Sequence, residues 1–132
     1  MRRRTLHLDA SKVGAEWQNG DDCREILQLL DRIGDKWTVM VVGALTPGPM
    51  RFNMLMREID GVSHRMLTLT LRGLAQDGLV KRTAYPTIPP KVEYELTELG
   101  RSLIEPLSAL AAWVTRNRPA IEKARASFPD AA

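Results

Sequence analysis

Arg65, Thr68, Leu69, Arg72 and Gln76 are spaced so that one side of a helix carries all five. Their chemistry suits the edges of base pairs. A guanidinium can donate paired hydrogen bonds to guanine, and a threonine or leucine methyl can meet a thymine methyl. Leu67, Leu71 and Leu74 fall on the opposite stripe at about 100° per residue. If that stripe packs inward, the polar stripe is free to enter a groove. Ser63 is a good N-cap, because its hydroxyl can accept an orphan amide hydrogen of the first turn. Gly78 suits the stop, where a left-handed backbone carries no side-chain penalty. Ser63, His64, Arg65 and Thr68 then occupy the start of the helix, the part that meets bases in helix-turn-helix readers. On a helix with no further context, Arg65 and Arg72 read equally as solvated surface charges.

The next segment adds that context. Leu79 to Tyr85 is short, β-prone and bounded by Gly78 and Pro86. Lys91 to Leu96 alternates, with Val92, Tyr94 and Leu96 on one side and Lys91, Glu93 and Glu95 on the other. Pro86, Pro89 and Pro90 stiffen the loop between the two strands. Lys81, Arg82 and Lys91 surround it with positive charge, and a stiff basic loop can touch phosphates at little entropic cost. An ordinary hairpin with a proline-rich turn would share the pattern. A capped helix, a glycine stop and a basic hairpin, in that order, are what a winged helix-turn-helix requires.

Other elements must hold this reader. Asp22 is placed to cap a first helix over Cys23–Ile33, with Ile26, Leu27, Leu29, Leu30 and Ile33 giving a broad apolar face. Gly34 ends it, and a second helix runs over Lys36–Leu45 with Trp37, Met40, Val41 and Ala44 inward. After the break at Thr46-Pro47-Gly48-Pro49, a short helix covers Arg51–Ile59, and Asp60-Gly61-Val62 makes the turn into the reader. Phe52, Leu55 and Ile59 are spaced to pack against Leu67 and Leu71, while Arg51 stands where it could clamp the DNA backbone. Thr97 is expected to cap a long helix kinked at Pro106. Its stripe of Leu103, Leu107, Leu110 and Trp113 exceeds what one small domain can cover, so a second subunit is the expected partner. Packing onto the first helix of the same chain is the competing account, and the two are compatible.

The fold class expected is mainly α with a small β-hairpin wing. The chain divides into an arm over 1–20, a winged helix-turn-helix over 21–96, and a dimerisation helix and tail over 97–132. Net charge is only +3, so bulk charge alone does not argue for nucleic acid. Its distribution does: Arg51, Arg57, Arg65, Arg72, Lys81, Arg82 and Lys91 face only Glu58, Asp60 and Asp77 between residues 51 and 91. The Arg2-Arg3-Arg4 run reads as a flexible basic tail. A single cysteine excludes an internal disulfide framework and fits the cytoplasm, and neither a signal peptide nor a membrane span is expected. His7 and His64 are far apart, no Cys/His cluster has metal-ligand spacing, and no glycine loop for phosphates occurs, so neither an enzyme nor a cofactor is expected. The methionines Met40, Met50, Met54, Met56 and Met66 read as core filler.

Taken in order, Gly34-Asp35-Lys36-Trp37-Thr38, Arg51-Phe52-Asn53, Ser63-His64-Arg65-Met66-Leu67-Thr68, Asp77-Gly78-Leu79-Val80, Tyr85-Pro86, Pro89-Pro90-Lys91-Val92-Glu93-Tyr94 and Leu96-Thr97-Glu98-Leu99-Gly100 resemble the HxlR family of MarR-like bacterial regulators. Each motif is weak alone; the ordered set is specific, and it covers roughly Cys23 to Trp113. The resemblance implies a winged-helix homodimer on paired operator half-sites in double-stranded DNA, with repression as the expected outcome. It also implies that some members sense oxidants or electrophiles through a cysteine at the start of the first helix, which Cys23 matches. Three positions depart from the family pattern. Arg24 replaces a common proline, Leu69 replaces a polar residue, and Gly73 replaces a helix former at roughly 1 kcal/mol of propensity. Two other functions fit the same fold: a protein-interaction module that binds no specific DNA, and a ligand-responsive regulator with an effector pocket between the long helix and the reader, in which Cys23 has no role.

Overall fold

The computed structural model describes residues 20–129. The expected arm with its arginine run, and the end of the tail, lie outside the described residues. The elements are α1 (Gly20–Ile33), α2 (Lys36–Leu45), β1 (Met50–Arg51), α3 (Phe52–Glu58), α4 (His64–Gln76), β2 (Val80–Tyr85), β3 (Lys91–Leu96), α5 (Glu98–Arg101) and α6 (Ile104–Ser127). The architecture is mostly helical with a three-stranded antiparallel sheet in the order β1-β3-β2.

Local chemistry sets the helix starts. Asp35 accepts hydrogen bonds from the amides of Trp37 and Thr38 at 3.0 and 3.3 Å, so α2 begins at Lys36. Ser63 accepts from Met66 N at 3.0 Å and starts α4. α1 begins at Gly20, so Asp22 lies within the helix and not ahead of it as its cap.

Packing then centres on α2 and α4. Leu67, Leu71 and Leu74 of α4 are buried, and they meet Val41, Val42 and Leu45 of α2 and Leu55 of α3 in one core. Of the α2 residues named from the sequence, Val41 is buried and Trp37 and Ala44 pack against the core, but Met40 does not. Thr38, Val41, Val42 and Leu45 are its buried residues, whereas Met40 is exposed. The reason is position: α2 contacts α1, α3, α4, α6 and β3, so neighbours cover it on several sides. Met40 and Met54 are exposed and do not fill the core; Met50, Met56 and Met66 pack against it.

The strands depart from the expected hairpin in one respect. Met50 and Arg51 form a short third strand, with Met50 opposite Tyr94 and Arg51 opposite Glu93. Arg51 therefore belongs to β1 and precedes α3 instead of opening it. β3 becomes the central strand, and residues 91–95 are all half-buried where alternation was expected. Neighbours on both sides shield the charged positions as well as the apolar ones.

The wing is joined to α4 by a tight junction. Gly78 has φ +75°, the left-handed conformation that lets Leu79 N return to Leu74 O at 2.9 Å. Thr97 donates to Gly78 O at 2.7 Å and accepts from Gly100 N at 3.0 Å. Gly100 lies so close to the Leu79 carbonyl that a Cβ there would collide with it.

Thr97 caps only the four-residue α5, and the expected single long helix breaks at Ser102-Leu103. Pro106 falls in the first turn of α6, where a missing amide hydrogen costs no helical bond. Pro119 is the proline inside the helix. Both guanidinium Nη atoms of Arg101 donate to Thr46 O, at 3.3 and 3.0 Å, tying α5 to the end of α2. Ile104, Leu103 and Leu107 pack against the core, and α6 leaves it beyond Ala111.

The two stripes of α4 should differ sharply in stability. Leu67→Ala removes a side chain with no exposed area and is expected to cost about 2–5 kcal/mol. Leu69→Ala, at a position 47% exposed, should change stability by only about 0.5 kcal/mol. Urea unfolding of both variants measures the difference; equal losses would mean that α4 is rotated from the orientation described.

Candidate nucleic-acid interface

α3, the turn over residues 59–63 and α4 form the helix-turn-helix. Burial of the leucine stripe leaves Arg65, Thr68, Leu69, Arg72 and Gln76 exposed on the other side of α4. At the helix start, the Ser63 hydroxyl is engaged in capping. His64 is exposed but leans on Phe52, with ring centroids 4.7 Å apart at 52°.

The exposed face has two flanks. Toward the sheet, Thr68 and Arg72 line a cleft of about 260 Å³ with Ala75, Arg82 and Tyr94. Toward α1, Leu69 lines a different cleft with Gln28, Asp31 and Arg32. Arg72 from the helix and Arg82 from the wing thus border one concave, mainly apolar surface.

Arg82 was recognised in the sequence only as part of the basic wing. The signal that singles it out is strand alternation: Arg82 faces α4, so Lys81 lies on the other face of the sheet. Lys81 is exposed opposite Glu95 in the strand register. Lys91 is half-buried and held within the hairpin. Its Nζ is 3.5 Å from Glu93 Oε2 and 4.9 Å from the centroid of the Tyr85 ring, its cross-strand partner. Arg51 is exposed and lines a groove between β1 and α3 with Asn53, Arg57 and Glu93. At the wing tip Ile88 is almost fully exposed, and Thr87 Oγ1 donates to Pro89 O at 2.8 Å.

The structure also separates the residues expected at a subunit contact. Leu103 and Leu107 pack against the chain's own core, whereas Leu110 and Trp113 are 56% and 48% exposed. Val114 continues that exposed strip, and Leu27, Leu29 and Leu30 of α1 are exposed as well. Cys23 is a free, half-buried thiol in the first turn of α1. Among the described residues no group of three or more His, Cys, Asp or Glu side chains could hold a metal ion. No described helix is long and apolar enough to cross a membrane.

Comparison with known proteins agrees with this geometry. The family model for the HxlR-like helix-turn-helix matches residues 32–122. The HTH-type transcriptional regulator YtfH of Escherichia coli K12 is 44% identical over 94 residues, covering 71% of this chain and 75% of its own. The redox regulator HypR in its reduced form superposes with a TM-score of 0.68 at 40% identity, covering 75% of this chain and 98% of that one. HypR in its oxidised form gives a TM-score of 0.64 at 41% identity, covering 70% and 96% of the two chains. These relatives are regulators, a non-enzymatic role. A helix-turn-helix with a glycine-hinged wing, matched over most of its length, places the chain in the HxlR family of transcriptional regulators.

Proposed function

We propose that this regulator is a homodimeric repressor that reads an inverted-repeat operator through α4 and is sensitive to oxidants through Cys23. The observation that carries the reading is the outward face of α4, where Arg65 and Thr68 precede Arg72 and share its exposure. Arg65 reads a guanine edge, Thr68 a neighbouring base, and Arg72 with Arg82 holds the backbone. Selection of bound duplexes from a random-sequence pool tests this directly. Arg65→Ala should then lose about 1–3 kcal/mol on the selected duplex and little on random DNA. Arg82→Ala should weaken both alike and flatten the salt dependence. Equal losses for Arg65→Ala on both duplexes would reject base reading by this residue, and failure to select any duplex would favour a protein-interaction module.

The dimer rests on the apolar residues that α1 and α6 leave uncovered. Leu110, Trp113 and Val114 on α6, and Leu27, Leu29 and Leu30 on α1, are exposed apolar side chains of the kind that a second subunit would cover. Inverted half-sites would then lie about one helical turn (roughly 10 bp) or a multiple apart. Leu107 is a poor probe because it packs internally. Leu110→Glu with Trp113→Glu should give a folded monomer with strongly weakened operator binding. Sedimentation showing a monomer for the unmutated chain at micromolar concentration would sink the dimer.

The oxidant response rests on a free thiol in the first turn of α1 and on the similarity to a redox regulator. With one cysteine per chain, an oxidant that accepts two electrons can join two thiols only between chains, or one thiol to a small thiol such as glutathione. Treatment with a mild disulfide-forming oxidant should change operator affinity, and Cys23→Ser should abolish the change. An unaltered affinity after complete thiol oxidation would leave regulation to a small-molecule effector.

A further inference from the structure

Arg32 lies in the last turn of α1, and its guanidinium reaches across to α4. Its Nε lies 2.7 Å from Asp77 Oδ2, at the C-cap of α4. That oxygen is fully buried and has no aligned hydrogen-bond donor, so the guanidinium charge is what balances it. On its way Arg32 crosses α4 over Gly73, where a Cβ would collide with Arg32 Nη1 and sit 3.1 Å from Cζ. A side chain at 73 would therefore make the Arg32 guanidinium move aside from its place over the helix.

Electrostatics favours the contact at this end of α4. A carboxylate beside the last carbonyls of a helix meets the negative end of the helix dipole, and a guanidinium there offsets both charges. As a source of stability the pair is weak, because its side chains are 41% and 24% exposed. Its geometry matters more: it joins the last turn of α1 to the C-cap of α4, while α1 leaves Leu27, Leu29 and Leu30 uncovered elsewhere.

We propose that Arg32 is a positioning residue for DNA reading: its ion pair with Asp77, routed over Gly73, fixes the angle between α1 and α4. The C-terminal end of α4 is then held against α1 within the azimuth that the leucine stripe sets, and the readout of bases depends on a residue that acts through α4. This second consequence rests on the operator reading proposed above, whereas the ion pair's effect on α4 does not.

Two measurements on the full chain separate these points. The first is hydrogen exchange without DNA. In Arg32→Met and in Asp77→Asn, the amides of Asp77, Gly78 and Leu79 should exchange faster, on the order of five-fold, while Leu67 near the helix start is unchanged. The double variant should exceed neither single by much, because one interaction is being removed twice. Gly73→Leu is the discriminating variant. Leucine is the better helix former, so a purely local account slows exchange at the end of α4, whereas obstruction of Arg32 speeds it. The second measurement compares affinities for a duplex selected by the unmutated chain and for random DNA. Arg32→Met should lose on the order of ten-fold on the selected duplex and little on random DNA. Unchanged exchange, additive effects, or slower exchange in Gly73→Leu would overturn the ion pair as a constraint. Equal losses on both duplexes would overturn its part in reading. If the unmutated chain selects no duplex, the operator reading falls and the exchange result alone judges the constraint.

Discussion

Burial of one leucine stripe controls what the rest of this molecule can do. Leu67, Leu71 and Leu74 are at most 2% exposed, and they close the core made by α2 and α3. Apolar burial has no direction of its own, but a helix is a rigid object. Fixing one stripe of α4 fixes the azimuth of every other residue on it. The same contacts that stabilise the domain therefore point Arg65, Thr68 and Arg72 outward. Rotation of α4 would need leucines brought to solvent, at roughly 1.5–3 kcal/mol for each side chain.

A second constraint sets the wing. Gly78 turns the chain back at positive φ, and Thr97 and Gly100 close over the turn from nineteen or more residues away. This junction leaves no slack between the end of α4 and the start of β2. Arg72 and Arg82 consequently share one cleft although they come from a helix and a strand. A net charge of +3 says nothing of where the charges lie; the wing junction is what brings these two arginines to one cleft. Lys91 shows the converse. Its charge is held by Glu93 and the Tyr85 ring, so it braces the hairpin and contributes less field to the outside.

The outer helices follow from what the core cannot absorb. α6 gives Leu103, Ile104 and Leu107 to the domain and then runs past it, with Leu110, Trp113 and Val114 exposed. Arg101, bound to the Thr46 carbonyl through two donors, sets where α6 departs. α1 is attached at its C-terminal end through Arg32 and Asp77 and leaves three leucines uncovered. The HxlR family match spans residues 32–122, from the end of α1 through most of α6, so α6 belongs to it and most of α1 lies outside it.

The sequence by itself determined much of what is decided within a few residues along the chain. The Ser63 and Thr97 caps, the stop at Gly78, the buried and exposed stripes of α4 and the two wing strands were all legible, whereas the Asp35 cap was missed and Asp22 was taken for a cap although it lies inside α1. Each depends on a hydrogen bond or a periodicity spanning at most about two turns. Tertiary structure decided the rest. β1 exists only because Met50 and Arg51 find Tyr94 and Glu93 more than forty residues later. Gly73 looked like a loss of helix propensity until Arg32 was found crossing it. The Leu103–Trp113 stripe looked uniform because its spacing is uniform, yet the core ends partway along it and divides it. Arg82 and Lys91 were equivalent basic residues in the sequence, and only the geometry of the sheet gave one of them a cleft and the other a carboxylate. Periodicity states which side chains share a face; it carries no information about what stands opposite that face, because that is set by segments far away in the chain.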